Sequence, residues 1–325
     1  MFQENKKKRN KDCILEWVDC WSNVYQEKIK DQGEDAFVRS LNSRALLVGV
    51  FDGCGGAGAK RYPKLQDKTG AYVASRMISG TVRDWFQAAC FRGDDFSAQE
   101  LKDLMRENLT MCYQVGGEAS RFVSSMVKSF PTTAAFAVCS LREGKIQVDC
   151  FWAGDSRVYL LNADGLTQLS RDDLTVPDAM DNLYEDGVMT NMISQSRDFT
   201  LHHGYTVIDQ PGIVFAATDG CFGYLPTPMD FEYMLVSLLA GSESMDQWEK
   251  LLHSAIGTVA GDDYSLSAVV LGYGSFRALQ EFASGRAKFL RENYTDSSQR
   301  ERQEKYDLWS TYKPGYYGIA LEMKE

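Results

Sequence analysis

The stretch ALLVGVFDGCGGAGAK, residues 45–60, joins an apolar run to an aspartate and a loop with four glycines in six positions. An apolar run of this length bounded by glycine predicts a buried strand that holds Asp52 at its end. Glycine permits backbone conformations that other residues avoid and lets the chain approach a ligand closely. Taken alone, the stretch is equally consistent with a tight turn after a strand.

Acidic residues recur at strand ends elsewhere in the chain. Asp155 follows the strand in CFWAGDSR, Asp219 follows the strand in IVFAATDG, and Asp262 precedes the strand in GDDYSLSAVV. Glu34 and Asp35 precede the strand that begins AFVR. Two carboxylates ~4 Å apart repel by roughly 4 kcal/mol at an effective dielectric constant of 20, so a converging cluster requires cations. Mg²⁺ and Mn²⁺ prefer such oxygen ligands and need neither histidine nor cysteine.

Length and charge limit the classes of protein to be considered. A chain of 325 residues can form one large domain, or one domain with an extension. Its net charge of -10 argues against a nucleic-acid or anionic-membrane partner, which would require a basic surface. No run approaches the roughly 18 apolar residues of a membrane span, and no apolar stretch follows the charged N-terminus, so no signal peptide is expected.

The cysteines and histidines give little support to other kinds of site. The eight cysteines form no CxxC pair and lie mostly in apolar segments, which indicates free thiols and a reduced, cytoplasmic setting. The three histidines, His202, His203 and His253, are too few and too scattered for a zinc site or a histidine nucleophile, and we expect them on strand or helix surfaces.

The hydrophobic pattern predicts antiparallel strands interrupted by helices. Strand patterns occupy parts of 12–60, 132–170, 200–219 and 265–274, where SLSAVVLGYG is expected to be the last strand. Helices are predicted across 67–91, after a capping box formed by Ser97 and Glu100, and from near Thr227 and Ser244. The hydrophobic periodicity of residues 171–199 is weak, which predicts an irregular loop near a site or on the surface. Helix pairs between antiparallel strands indicate an α+β layered domain with a β-sandwich core.

An ordered series of motifs carries a family resemblance. GEDAF, VFDGCGG, PTTAAFAV, WAGDSRVYLL, LTQLSRDD, FAATDG and GDDYSLSAVVL occur in this order. The series resembles the metal-dependent protein phosphatase 2C (PPM) family, in a divergent bacterial form, over residues ~12–274. The resemblance implies a four-layer αββα sandwich, in which two antiparallel β-sheets are flanked by helix pairs. It also implies a phosphatase that acts on phosphoserine and phosphothreonine in proteins and opposes a serine/threonine kinase.

The resemblance assigns ligands for two Mn²⁺ or Mg²⁺ ions. Asp52 matches the bridging ligand, and the Gly53 carbonyl matches the backbone ligand of the second ion. Asp219 and Asp262 match the remaining ligands of the first ion. In such a site the ions activate a bridging water, which attacks phosphorus in line.

Three further acidic residues match auxiliary positions of the family site. Glu34 and Asp35 correspond to the pair that holds the second ion through its waters. Asp155 corresponds to an aspartate that helps to hold a weaker third ion. With Asp52 these residues form an all-oxygen donor set, in keeping with the hard cations inferred from the residues alone.

The chain departs from the family pattern at three positions. Cys54 stands where the family has the histidine proposed as general acid, and a thiol with a pKa near 8.5 is a poorer proton donor than imidazolium. Lys30 stands where the family has a phosphate-binding arginine, and it supplies charge without a bidentate fork. Gly223 stands where many members place another aspartate of the third ion.

Three functional readings follow. The leading hypothesis is a serine/threonine protein phosphatase with Asp52, Cys54 and Lys30 in catalytic roles. The alternatives are a pseudophosphatase that binds phosphoprotein without efficient turnover, and a hydrolase of small phosphate esters. The complete set Asp52, Asp219 and Asp262 favours an enzyme, since a scaffold has no need for clustered carboxylates.

The resemblance divides the chain into three parts. Residues 1–11, which include the cluster KKKRNK, are expected to be a solvated basic tail, and residues 12–274 the catalytic domain. Residues 275–325 are expected to be a helical extension that docks on that domain. The expected docking stripe consists of Phe276, Leu279, Phe282, Phe289 and Leu290.

Overall fold

A computed structural model describes residues 13–117, 129–185, 187–294 and 300–324. The basic tail predicted for residues 1–11 lies outside these ranges. Strands in the described residues are β1 Val18–Gln26, β2 Ala36–Leu41, β3 Ala45–Phe51, β4 Arg61–Tyr62, β5 Lys68–Thr69, β6 Ala134–Arg142, β7 Lys145–Ala153, β8 Arg157–Asn162, β9 Gly165–Gln168, β10 His202–Ile208, β11 Gly212–Ala217, β12 Tyr264–Leu271 and β13 Glu322–Met323. The α-helices are α1 Gly55–Gly58, α2 Gly70–Arg92, α3 Ala98–Gly116, α4 Pro228–Ala240, α5 Met245–Val259, α6 Phe276–Asn293 and α7 Arg302–Tyr316.

The strands form two antiparallel sheets that pack face to face. One sheet has the order β1-β12-β11-β8-β9, and the other has the order β13-β10-β7-β6-β3-β2. Strands β4 and β5 form a separate two-stranded hairpin, which the sequence did not predict. The α+β sandwich predicted from the sequence is confirmed.

Strand β3 shows why its sequence is apolar throughout. Leu46, Val48 and Val50 pack in the core between the two sheets. The intervening Leu47 and Phe51 pack on the opposite face, in the core beneath α2 and α3. Because both faces of the strand are covered, polar residues cannot alternate with apolar ones.

Helices α2 and α3 cover the six-stranded sheet. The side chain of Thr69 accepts a hydrogen bond from the Tyr72 amide at the start of α2, and Gly93 ends that helix with a φ of 82°. The capping residue predicted for the next helix is confirmed, because the Glu100 amide donates to Ser97 Oγ at 3.2 Å. Both helix starts therefore follow from local capping chemistry.

The five-stranded sheet is covered by α4, α5 and the C-terminal helices. On α6, Leu279, Ala283, Ala287 and Leu290 are buried in the same core as α4 and α5. The sequence prediction was wrong for Phe289, which is 44% exposed. The buried positions recur every three or four residues, and Phe289 falls beside that stripe rather than on it.

Two further expectations were wrong. SLSAVVLGYG is not the last strand, since β13 pairs with β10 through Gly204 and Met323. His203 is not a surface residue: it is 3% exposed, and its Nε2 lies 2.9 Å from Asp149 Oδ1.

All eight cysteines are free, as their spacing predicted. Among the described residues, no helix combines the length and the hydrophobicity required to cross a membrane.

Candidate active site

The acidic residues singled out in the sequence approach one another at one end of the sandwich. Asp52 follows β3 of one sheet, and Asp219 follows β11 of the other. Asp155 lies in the short link by which β7 crosses to β8 in the opposite sheet. The carboxylate of Asp52 is repelled by Asp35, Asp219, Asp155 and Asp262, which places all five groups in one electrostatic cluster.

Asp52 is fixed through its backbone. Its carbonyl accepts hydrogen bonds from the Thr133 amide at 2.8 Å and from Thr132 Oγ1 at 2.7 Å. The Cys54 amide donates to the Pro131 carbonyl at 3.2 Å, which completes the bridge between the two segments. Among the described residues, the Gly53 carbonyl takes no part in this bridge.

Glycines in the loop after β3 make room for neighbouring protein atoms. A side chain at Gly53 would bring its Cβ atom within 2.7 Å of the Ala71 carbonyl oxygen. A side chain at Gly55 would overlap Glu34 Oε2, whereas one at Gly56 would meet nothing within 4 Å. Glycine is therefore required at Gly53, which lies against backbone, whereas a side chain at Gly55 would have to displace the Glu34 carboxylate.

Hydroxyl groups that the sequence reasoning missed hold the acidic pair before β2. Asp35 is 2% exposed and accepts a hydrogen bond from Thr218 Oγ1 at 2.9 Å. The same hydroxyl accepts the Ser265 amide at 2.9 Å, and Thr69 Oγ1 donates to Glu34. The available signal was position: Thr218 directly precedes Asp219, and Ser265 lies two residues after Asp263.

Asp262 and Asp263 differ in what they contact. Asp263 accepts the Lys28 amide at 2.7 Å and the Glu34 amide at 2.6 Å, so it ties the loop before β2 to β12. Asp262 is exposed, and its Oδ1 accepts only the adjacent Asp263 amide among the described residues. Of the two, Asp262 has the carboxylate that is available to a ligand.

The cluster is electrostatically unbalanced. Burial, followed by repulsion from Asp35 and Asp219, raises the pKa of Asp52 well above its usual range, although the residue stays partly accessible to solvent. Burial and then Asp219 raise the pKa of Asp155, and burial and then Asp262 raise the pKa of Asp219. Such mutual repulsion is expected where carboxylates converge without a counterion.

Cys54 borders this cluster. Burial, and then the charge of Asp52, raise the pKa of its thiol well above the usual value. The sulfur lies 4.0 Å from the Asp52 carbonyl oxygen. The Cys54 side chain is therefore a neutral thiol, not a thiolate, at neutral pH.

The donor set fits a hard divalent cation. Within the described residues, no group of three or more His, Cys, Asp and Glu side chains is arranged as a preformed metal site. The cluster nevertheless offers only oxygen donors and an excess of negative charge, which are the properties that Mg²⁺ and Mn²⁺ require.

A cavity of about 230 Å³ is lined by basic residues and by part of the acidic cluster. Its lining includes Glu34 and Asp262 as well as Lys28, Arg61 and Lys68. Lys30 is exposed and is not among the lining residues. The cavity is thus lined by residues of both charges, with Arg61 paired to Asp67 at 3.8 Å and Lys68 Nζ bound to the Asp31 carbonyl at 3.1 Å.

The contacts near Asp155 and at Gly223, the two positions linked to a third ion, are as follows. Arg157, two residues after Asp155, forms a buried ion pair with Asp172 at 2.7 Å. Its guanidinium stacks over the ring of Phe222 at 4.1 Å. The Gly223 amide donates to the Asp219 carbonyl at 2.6 Å, so this position serves as a turn and offers no carboxylate.

No family model matches the chain. A Mycoplasma genitalium protein named as a candidate protein phosphatase is 24% identical over 266 residues, which cover 75% of this chain and 91% of that protein. The serine/threonine phosphatase of Staphylococcus aureus has a similar structure, with a TM-score of 0.55 at 15% identity, over 78% of this chain and 94% of that one. MsPP, the PPM Ser-Thr phosphatase of Mycobacterium smegmatis solved with cacodylate, gives a TM-score of 0.51 at 13% identity over 79% and 100% of the two chains.

The fold is that of the PPM serine/threonine phosphatases. PppA of Pseudomonas aeruginosa, described as a key regulatory component of its T6SS, also shares it, with a TM-score of 0.51 at 21% identity over 78% of this chain and 99% of that one. At identities of 13–21%, this structural similarity shows the PPM fold with its two sheets, as the motif order in the sequence predicted.

Proposed function

We propose that this chain is a metal-dependent phosphatase that hydrolyses phosphoserine and phosphothreonine in proteins, opposing a serine/threonine kinase. One observation carries the proposal: acidic residues from loops of both sheets meet as a mutually repelling cluster at one end of a PPM fold. Carboxylates that repel one another destabilise the fold unless cations neutralise them. A metal-dependent activity accounts for such a cluster.

The residues that would hold two Mn²⁺ or Mg²⁺ ions are those assigned by the resemblance. Asp52, Asp219, Asp262 and the Gly53 carbonyl are proposed as ligands, and Glu34 and Asp35 as the pair that acts through water. Asp155 is proposed for a weaker third ion. When bound, such ions supply an activated water as nucleophile and positive charge for the phosphoryl oxygens.

The chain's own residues have distinct roles in this proposal. Thr132 and Thr133 hold Asp52 in place through its carbonyl. Arg61 and Lys68 place positive charge beside the cavity, where a phosphoryl group would be attracted. Cys54 carries a proton next to the cluster and is the proposed donor to the leaving alkoxide, while a phosphate-binding role for Lys30 remains a prediction.

The proposal is tested by measuring phosphate release from a phosphoserine peptide, with added Mn²⁺ and with or without a chelator. We expect turnover that requires the metal and stops when the chelator is added. A folded protein that binds the peptide without turnover at any Mn²⁺ concentration would support the pseudophosphatase instead. Faster hydrolysis of nucleotide or sugar phosphates than of the peptide would indicate a hydrolase of small esters.

A further inference from the structure

An open groove of about 850 Å³ runs between α2 and α3. Val73, Met77 and Leu104 contribute apolar side chains to its lining, and all three are only partly buried. Lys68 and Tyr72 line both this groove and the 230 Å³ cavity beside Glu34 and Asp262. The groove therefore adjoins the candidate active site at Lys68 and Tyr72.

Gly80 lies in the middle of the 23-residue helix α2 and lines the groove. Glycine is unfavourable in a helix interior compared with alanine, so its presence there requires a reason. A Cβ atom at Gly80 would meet nothing within 4 Å, so internal packing among the described residues does not supply that reason. The glycine instead leaves the groove unobstructed.

The charges in the groove are distributed unevenly. Lys64, Lys68 and Arg76 line the groove; Lys68 also lines the active-site cavity, and Arg76 donates to the Gly33 carbonyl at 2.9 Å, next to Glu34. Within the described residues none of the three pairs with a carboxylate: Lys68 and Arg76 instead contact backbone carbonyls and the Tyr72 ring, and the whole chain has a net charge of -10. This part of the groove consequently attracts an acidic ligand.

We infer that the groove is the docking site for the polypeptide chain of the phosphoprotein substrate, adjacent to its phosphorylated residue. This inference rests on the proposed function and adds a substrate feature to it. The substrate would place an apolar side chain against Val73, Met77 and Leu104, and an acidic side chain near Lys64 and Lys68. From Tyr72 to Arg92, α2 spans about 30 Å, which accommodates about nine extended residues.

The test compares Gly80→Phe with the matched control Gly80→Ala on two substrates. The first substrate is phosphorylated casein, and the second is para-nitrophenyl phosphate, which is small enough to use the active-site cavity alone. Filling the groove with phenylalanine should raise KM for casein about tenfold or more, while kcat/KM for the aryl phosphate changes less than twofold. Gly80→Ala should leave both values within twofold of the wild type.

A second variant keeps the inference testable if Gly80→Phe fails to fold. Lys64→Glu should raise KM for a phosphoserine peptide with acidic flanking residues at least threefold more than KM for the same peptide with basic flanking residues. Equal effects of either variant on its two substrates would overturn the docking site. So would unchanged kinetics of folded Gly80→Phe, and in both cases metal-dependent phosphate release from the phosphoserine peptide by the wild type would leave the proposed function standing.

Discussion

Gly55 and Gly56 are neighbours in the loop after β3, yet their surroundings differ. A Cβ atom at Gly55 would overlap the Glu34 carboxylate, whereas one at Gly56 would meet nothing within 4 Å. We expect Gly55→Ala to displace Glu34 and to weaken Mn²⁺ binding about tenfold, because groups that position ligands typically contribute 10–100-fold to affinity. Gly56→Ala is the matched control and should bind Mn²⁺ within twofold of the wild type. Titration calorimetry checks both, and equal affinities would contradict the assigned role of Glu34.

Cys54 makes the loop unusual, since a thiol stands where the family has histidine. If the thiol is a poor proton donor, hydrolysis should be slowed more when the leaving group is a serine alkoxide than when it is an activated aryl group, which scarcely needs protonation. We expect Cys54→His to raise the rate on a phosphoserine peptide by up to about 10²-fold. The rate on para-nitrophenyl phosphate should rise less. Both substrates are measured from pH 6 to 9 at saturating Mn²⁺. An equal change for both substrates, in a variant that binds metal normally, would leave Cys54 as a packing residue.

At the level of single residues, the sequence revealed the acidic groups but not what holds them. Asp52, Asp155 and Asp219 could be selected because each follows an apolar strand and adjoins glycine. The supporting hydroxyls of Thr218 and Thr69 were missed, because a hydrogen bond across many residues leaves no local pattern beyond the position of Thr218 next to Asp219. The resemblance assigned Asp262 as a metal ligand, but no local pattern showed that Asp263 ties the loop before β2 to β12.

Helix α6 is held against α4 by an ion pair between Arg286 and the buried Glu232. Glu232 of α4 is fully buried and accepts hydrogen bonds from Arg286 at 2.6 and 3.1 Å, and also from the hydroxyl of Tyr312 on α7. Arg286 therefore neutralises a buried carboxylate at the junction of three helices. Removing one partner of such a pair leaves an uncompensated buried charge.

We expect Arg286→Met to lower the free energy of unfolding by about 3–5 kcal/mol. Arg277→Met on the same helix is the control, because Arg277 pairs with Glu281 at the surface and should contribute less than about 1 kcal/mol. Urea denaturation of both variants measures the difference. Similar free energies for the two variants would show that Arg286 does not secure α6.

Elements with a strong local signal were predicted well, and short ones were not. The sequence predicts β3 and the start of α3, because continuous apolar residues and a capping serine act locally. The hairpin of β4 and β5 and the two-residue strand β13 were missed. Strands this short carry no periodicity, and only their tertiary partners define them.

The whole molecule extends the four-layer sandwich with two more helices. Trp309 and Tyr312 of α7 are buried in the same core as α4 and α5. Trp309 Nε1 also donates to Asp178 at 3.1 Å, in the irregular segment after β9. We propose that residues 12–274 are the catalytic domain and that residues 275–325 are an extension that braces one face of it.

The central claim is that the acidic cluster binds metal and that the metal drives phosphate release. Asp219 tests this claim most directly, because it is proposed as a direct ligand and its amide analogue has nearly the same shape. The measurement is phosphate release from a phosphoserine peptide by folded wild type and Asp219→Asn across a Mn²⁺ titration. We expect the wild type to be active only with Mn²⁺ and the variant to lose at least about 10²-fold in kcat/KM. Near-normal turnover by the folded variant, or metal-independent turnover by the wild type, would contradict the claim.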